Sequence, residues 1–336
     1  MLRKVISLFV VSMLLCLSAQ SAFAKDISLK LSHHRPVDSQ LDKDMKKFAA
    51  DVAKATDNRI TIEVFPAGQL GGSYAAMERV SMGAIDMMIG DPNSELDPRL
   101  NIYSLPGILK DFNGVGKLFS KGAPYMAHLE KIFNDSDLHV LASYTTAFSG
   151  ACFKKPPKDI KNPNAKHNEK IRVPGTDVHR YVAEAIGYMG TPLPWGEVFT
   201  ALQTGVVDGV YGPGAEPIYT TLRDVITVCL FPNVQLDMFF LLINQDKFNS
   251  IPEQDRKIMM DIANKLEKSR FTVAAEEQKM WEKRLSEKKI EICKLTPDEL
   301  TTFQKKIQEQ VWPKLRKDLG EKFFDQTIEA WKASMK

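Results

Sequence analysis

Arg172 is the residue whose type and setting point most directly at chemistry. It stands in Lys170-Ile171-Arg172-Val173-Pro174, which reads as a short strand running into a helix start at Thr176 or Asp177. In open α/β folds ligands gather beyond the carboxyl ends of strands, where helix N-termini also point. A guanidinium there offers a rigid, permanently charged fork that matches a carboxylate, with a surface ion pair as the competing role. Trp195, in Pro192-Leu193-Pro194-Trp195-Gly196-Glu197, precedes another helix start. Two prolines stiffen that approach, so its indole suits a cleft wall as well as a core position. Tyr211 ends a Gly-Val-Val-Asp-Gly-Val-Tyr run at a comparable strand end, where its hydroxyl reaches a ligand or its ring fills the core. His33 and His34 follow the first predicted strand, but sequence neighbours on a strand point to opposite faces. No third and fourth ligand stands at usable spacing, so no metal is expected. The chain has no GxSxG elbow, no recognisable Cys–His setting and no GxxxxGK[ST] loop. Nucleophilic catalysis and phosphate-loop chemistry are therefore unsupported, and no cofactor is expected.

The elements that position these residues follow from hydrophobic periodicity. Ile27-Ser28-Leu29-Lys30-Leu31 and Ile60-Thr61-Ile62-Glu63-Val64 alternate as half-buried strands do. Between them Ser39 opens a helix with Leu41, Met45, Phe48, Ala49 and Val52 on one face. Strand, helix, strand is a βαβ unit, and its continuation predicts an α/β architecture with parallel strands. Met82-Gly83-Ala84-Ile85-Asp86-Met87-Met88-Ile89-Gly90 is echoed by Thr204-Gly205-Val206-Val207-Asp208-Gly209-Val210-Tyr211-Gly212, with glycine and aspartate recurring at an offset of 122 residues. In each copy a helix stopping at glycine and a short strand are expected, which suggests two related lobes with a cleft between them. A helix with Val178, Tyr181, Val182, Ala185 and Ile186 on its apolar face should end at Gly187. Phe239 to Ile243 reads as a buried strand, about Pro252 to Leu285 as a long polar-faced helix, and a helical tail starts near Thr296-Pro297-Asp298-Glu299. The Lys-, Pro- and Asn-rich stretch from Lys154 to Lys170 is a solvated connection.

Residues 1–24 read as a secretory signal. Arg3 and Lys4 precede a 13-residue apolar run from Val5 to Leu17, and Ala22-Phe23-Ala24 supplies the small residues of a cleavage site. The run is too short for a membrane anchor. Without Arg3 and Lys4 the 45 basic residues become 43 against 42 acidic ones. Such a balance gives no general reason to bind nucleic acid or an acidic membrane surface. Cys152, Cys229 and Cys293, at spacings of 77 and 64 residues, are an odd number with no CxxC. At most one internal disulfide can form, and buried thiols are the simpler expectation.

Four segments together resemble a known family. They are Phe65-Pro66-Ala67-Gly68-Gln69-Leu70-Gly71, Met77-Glu78-Arg79 through Gly83-Ala84-Ile85-Asp86, Lys170-Ile171-Arg172-Val173-Pro174, and the run from Glu197 to Gly209. In order and spacing they are similar to the solute receptors of tripartite ATP-independent periplasmic (TRAP) transporters, of the C4-dicarboxylate-receptor type. The resemblance implies a type II-like periplasmic binding protein with two α/β lobes, hinge strands and a long connecting helix. Residues 25–146 with about 240–278 would form one lobe, and about 147–239 with 279–336 the other. It also implies that Arg172 pairs with a ligand carboxylate and that Trp195 lines the cleft. Tyr211, Gly212, Phe148 and, more weakly, His33, His34 and Asp91 to Asn93 would complete the site. Where many relatives carry a Gln-Glu-Asn-Pro-like segment this chain has Val210-Tyr211-Gly212-Pro213, and Phe148 stands near a position where many have a second arginine. A less polar pocket is therefore expected, suited to a small monoanion, an aromatic acid or a sulfonate. The implied partners are small and large integral membrane subunits, the compartment is the periplasm, and a monomer is expected. Rival readings are the receptor of an ATP-driven importer, a sensor component, or a secreted enzyme on a binding-protein scaffold.

Overall fold

The structure, a computed structural model, describes residues 26–336; the export segment expected at 1–24 lies outside them. From the N-terminus the chain runs β1 (Ile27–Ser32), α1 (Gln40–Ala55), β2 (Ile60–Phe65), α2 (Ser73–Ser81), β3 (Met87–Gly90), α3 (Val115–Phe119), α4 (Pro124–Asn134) and β4 (Leu138–Phe148). It continues through β5 (Ala151–Phe153), β6 (Lys170–Val173), α5 (Asp177–Ala185), β7 (Met189–Pro192), α6 (Val198–Thr204), β8 (Gly209–Tyr211), β9 (Val228–Leu230) and β10 (Leu236–Asn244). It ends with α7 (Gln245–Ser250), α8 (Glu253–Glu287), β11 (Glu291–Cys293), α9 (Pro297–Leu319) and α10 (Glu321–Met335). No helix among the described residues is long and apolar enough to cross a membrane.

Two mixed sheets result, ordered β2-β1-β3-β10-β4 and β11-β9-β5-β8-β6-β7. In the first, β1 is parallel to β2 and β3, while β10 inserts antiparallel between β3 and β4. In the second, β6 is parallel to β7 and β8, and β5 is antiparallel to β8 and β9. Local chemistry sets these elements. Ser39 Oγ accepts from the Asp42 amide at 3.3 Å to cap α1, whose Leu41, Met45, Phe48, Ala49 and Val52 are all buried. The internal echo has a matching cause in both sheets. Gly83 and Gly205 take positive φ, 73° and 79°, just after α2 and α6, where a side chain would be strained. The following aspartate then caps the neighbouring parallel strand. Asp86 Oδ2 accepts from the Lys30 amide on β1 at 2.8 Å, and Asp208 Oδ2 from the Lys170 amide at the start of β6 at 3.0 Å.

The chain passes between the sheets at residues 149–150 and 231–235, and again through α8. The long helix packs on α1 and β4 and reaches β11. Its contact with β4, an edge strand of the first sheet, is polar: Glu267 Oε2 accepts from the Ser143 amide at 2.8 Å, and Gln278 Oε1 accepts from the Phe148 amide at 2.9 Å. Arg270 donates to the Thr145 carbonyl at 3.3 Å. Edge groups of a sheet that would otherwise lie open are thereby satisfied. The tail differs from the expected division. Although α9 packs on α5, α10 returns to α4 beside the first sheet, where Ser334 Oγ accepts from the Tyr125 amide at 2.9 Å. The cysteines also differ from expectation. Cys152 and Cys229 face each other in the antiparallel β5–β9 register with Cα atoms 4.1 Å apart and are joined as a disulfide, while Cys293 is a buried free thiol. The pairing depends on which strands become neighbours, which spacing alone does not reveal.

Candidate functional site

A cavity of about 540 Å³ lies between the sheets, at the carboxyl ends of parallel strands from both. The first sheet supplies His34 and Arg35 after β1, Ala67 and Gly68 after β2, and Asp91 after β3. The antiparallel β10 adds Asp237 and Phe239 from its opposite end. The second sheet supplies Arg172 from β6, Pro194 and Trp195 after β7, and Gly212 and Pro213 after β8. Gly212, at φ 119°, sits so close to Pro174 that a Cβ would come within 2.9 Å of its ring. A larger cavity of about 700 Å³ between α1 and α8 has its buried arginine already paired, Arg270 with Glu277 at 2.5 Å.

Arg172 is 6% exposed. Among the described residues its guanidinium makes one hydrogen bond, from Nε to the Leu193 carbonyl at 2.8 Å, and no ion pair. Its charge is otherwise answered by the Trp195 ring, 5.5 Å away. Burial lowers Arg172 to about 10, a sign of a cation short of solvation, with Asp91 and Asp237 opposing that effect from a distance. Arg35 is differently placed. It pairs with Asp237 at 3.3 Å and lies over Phe239 at 5.0 Å and Trp195 at 5.9 Å, so the indole stands between two arginines. Burial pushes Asp237 up to about 6 despite Arg35. His34 and His179 are both held near 3, chiefly by burial, and are neutral at neutral pH. Asp91 is half-buried, and its carboxylate has no ion-pair partner among the described residues.

Arg172, Trp195, His34 and Gly212 thus line the same cavity. Other residues named from the sequence sit elsewhere. Tyr211 is fully buried and donates to Gln235 Oε1 at 2.9 Å. Phe148 is fully buried against Phe112, 4.9 Å between ring centres. His33 turns to α1, where its Nε2 meets Asp42 Oδ1 at 3.2 Å. Asn93 is buried and donates to Glu78 Oε1 at 2.9 Å, whereas Asp91, two residues earlier, faces the cavity. Besides Arg172, the walls carry the charged side chains of Arg35, Asp91 and Asp237. Arg35 was not singled out from the sequence, although it stands three residues beyond β1, next to His34. Asp237, Tyr74 and Tyr103 carried no signal of that kind.

The family described as bacterial extracellular solute-binding protein, family 7, matches residues 31–318. The chain is 26% identical over 273 residues to the ectoine-binding periplasmic protein TeaA of Halomonas elongata, covering 80% of this chain and 77% of that one. It is 24% identical over 322 residues to the C4-dicarboxylate-binding periplasmic protein DctP of Rhodobacter capsulatus, covering 93% and 92%. A solved TRAP periplasmic solute-binding protein from Desulfovibrio salexigens, with bound orotic acid, shares the fold at a TM-score of 0.82 and 20% identity, over 91% of this chain and 99% of that one. These relatives are receptors rather than enzymes. With two α/β halves, a cavity between them and an unpaired arginine inside it, the chain belongs to the bacterial extracellular solute-binding proteins of family 7, the solute receptors of TRAP transporters.

Proposed function

We propose that the protein is a periplasmic receptor that binds a small organic anion in the cavity between its sheets and delivers it to the integral membrane subunits of a TRAP transporter. The observation that carries this reading is Arg172, a buried cation with free Nη atoms facing a cavity. A buried charge without a partner is costly, and a ligand carboxylate supplies both the charge and the hydrogen bonds. Trp195 flanks the anion, and Arg35, held by Asp237, adds positive potential from the opposite wall. The energy for uptake comes from the membrane partners. Closure around the ligand draws only on its greater affinity for the closed form.

The test is a thermal-shift screen of the purified protein against carboxylates, aromatic acids and sulfonates. A ligand at about a hundredfold excess over Kd stabilises by roughly 2.7 kcal/mol. One anion class is expected to raise the melting temperature, and Arg172→Ala should abolish that shift, at a cost to binding of about 3–5 kcal/mol. Affinity unchanged in Arg172→Ala would remove the site assignment. Capture of the membrane subunits by the loaded receptor, and not by the receptor of an ATP-driven importer, tests the transporter class.

A further inference from the structure

The cavity presents two unpaired charges of opposite sign. Arg35 and Asp237 neutralise each other at 3.3 Å, and Glu197 at the rim is exposed to solvent. His34 and His179 are neutral. Arg172 and Asp91 are left, one on each sheet and neither in an ion pair among the described residues. A simple carboxylate bound at Arg172 satisfies that arginine but leaves the walls and ligand together with one excess negative charge, on Asp91. A cationic group on the ligand would answer that charge where it faces the cavity. Tyr74 Oη is buried and lies close to Asp91 in the cavity lining. Tyr74 and Tyr103 line the same cavity as Asp91, so aromatic side chains and a carboxylate share its walls. A carboxylate flanked by aromatic rings is a seat for an organic cation.

From this arrangement we infer that the receptor's ligands are zwitterions, with the carboxylate on Arg172 and a cationic nitrogen on Asp91 beside Tyr74 and Tyr103. The inference rests on the anion reading above and narrows it. A zwitterion brings one charge to each unpaired wall group and leaves the closed cavity neutral, whereas a monoanion or a dicarboxylate cannot.

Matched pairs that differ only in the cationic centre test it by calorimetry on the purified protein. Glycine betaine is paired with 3,3-dimethylbutyrate, N-methylnicotinate with 3-methylbenzoate, and pipecolate with cyclohexanecarboxylate. In the pairs that bind, the zwitterion is expected to bind at least about tenfold more tightly. Asp91→Asn should reduce zwitterion affinity by about tenfold or more while leaving or improving that of the carbon analogue. Arg172→Gln should weaken both members. Asp91→Asn is checked for unchanged ligand-free melting, so a lost preference is not a lost fold. A ratio near one within pairs, or a ratio that Asp91→Asn does not move, overturns the inference while Arg172-dependent binding keeps the anion reading. Failure of every member of every pair to bind at millimolar concentration overturns both.

Discussion

Asp237 sets the pH response of the site. Burial raises its carboxyl to about 6 from an ordinary 3.8, so it takes up a proton as pH falls through about 6. Because the folded value lies above the unfolded one, the group's contribution to stability is full below about pH 4 and is lost as pH rises through about 6. The cavity loses a negative charge over the same window, while His34 and His179, near 3, remain neutral. Affinity for a simple carboxylate should therefore rise several-fold between pH 7.5 and 5, by titration calorimetry. Asp237→Asn should bind at pH 7.5 about as tightly as the wild type at pH 5, with a flat profile; a flat wild-type profile would refute the assignment. At this scale the sequence was most readable where a residue follows directly from a strand end, as with Arg172 and Trp195. It was least readable where one position decides which face a side chain takes. Tyr211 is buried beside cavity-lining Gly212. Strand alternation turns an error of a single residue into an exchange of core for cavity.

Among the elements, α8 explains why a long helix can be legible in extent and opaque in role. Its boundaries follow from Pro252 and an uninterrupted run of helix formers, but its buried face mixes Asp255, Glu267, Arg270 and Gln278 with Met259, Ala263, Ala274 and Leu285 instead of forming a continuous apolar stripe. Periodicity arguments find apolar stripes, so the docking of this helix onto β4 was not visible. Glu267 accepts from the Ser143 and Lys121 amides and lies within hydrogen-bond distance of Ser143 Oγ, and Glu267→Ala leaves the buried Ser143 amide unanswered. A loss of about 2–4 kcal/mol is expected in urea denaturation, with Glu267→Gln recovering part of it; an unaltered midpoint would show that water replaces the carboxylate. The β5–β9 pair makes a second expectation. The Cys152–Cys229 bridge closes 77 residues that include Arg172, Trp195 and Gly212. The double variant Cys152→Ser/Cys229→Ser should lose about 2–5 kcal/mol, and reduced wild type should melt with it. Equal melting of reduced and oxidised protein would argue against the bridge.

For the molecule as a whole, the ligand site is a property of how two sheets meet. Gly175, in the second half, lies against Tyr74 in the first, and a Cβ there would stand 2.7 Å from the tyrosine ring. Gly175→Ala should therefore disfavour this approach of the halves without touching either core. Ligand affinity is expected to fall by about 1–3 kcal/mol with ligand-free stability unchanged, and an unchanged Kd would show that the ring simply moves aside. The two-lobed plan was legible from the repeated glycine and aspartate, because both copies serve the same strand-capping geometry. The destination of the last helix was not, since α10 returns to the first sheet across the whole length of the chain. That weaving bears on how such a chain is made. β10 fills the gap between β3 and β4 and is not complete until Asn244, and β11 ends only at Cys293. A chain synthesised N-terminus first leaves the β3 and β4 edges without the strand that joins them until about three-quarters of it has been made. A product cut short before residue 236 leaves those edges open to proteolysis or to strand exchange with another molecule.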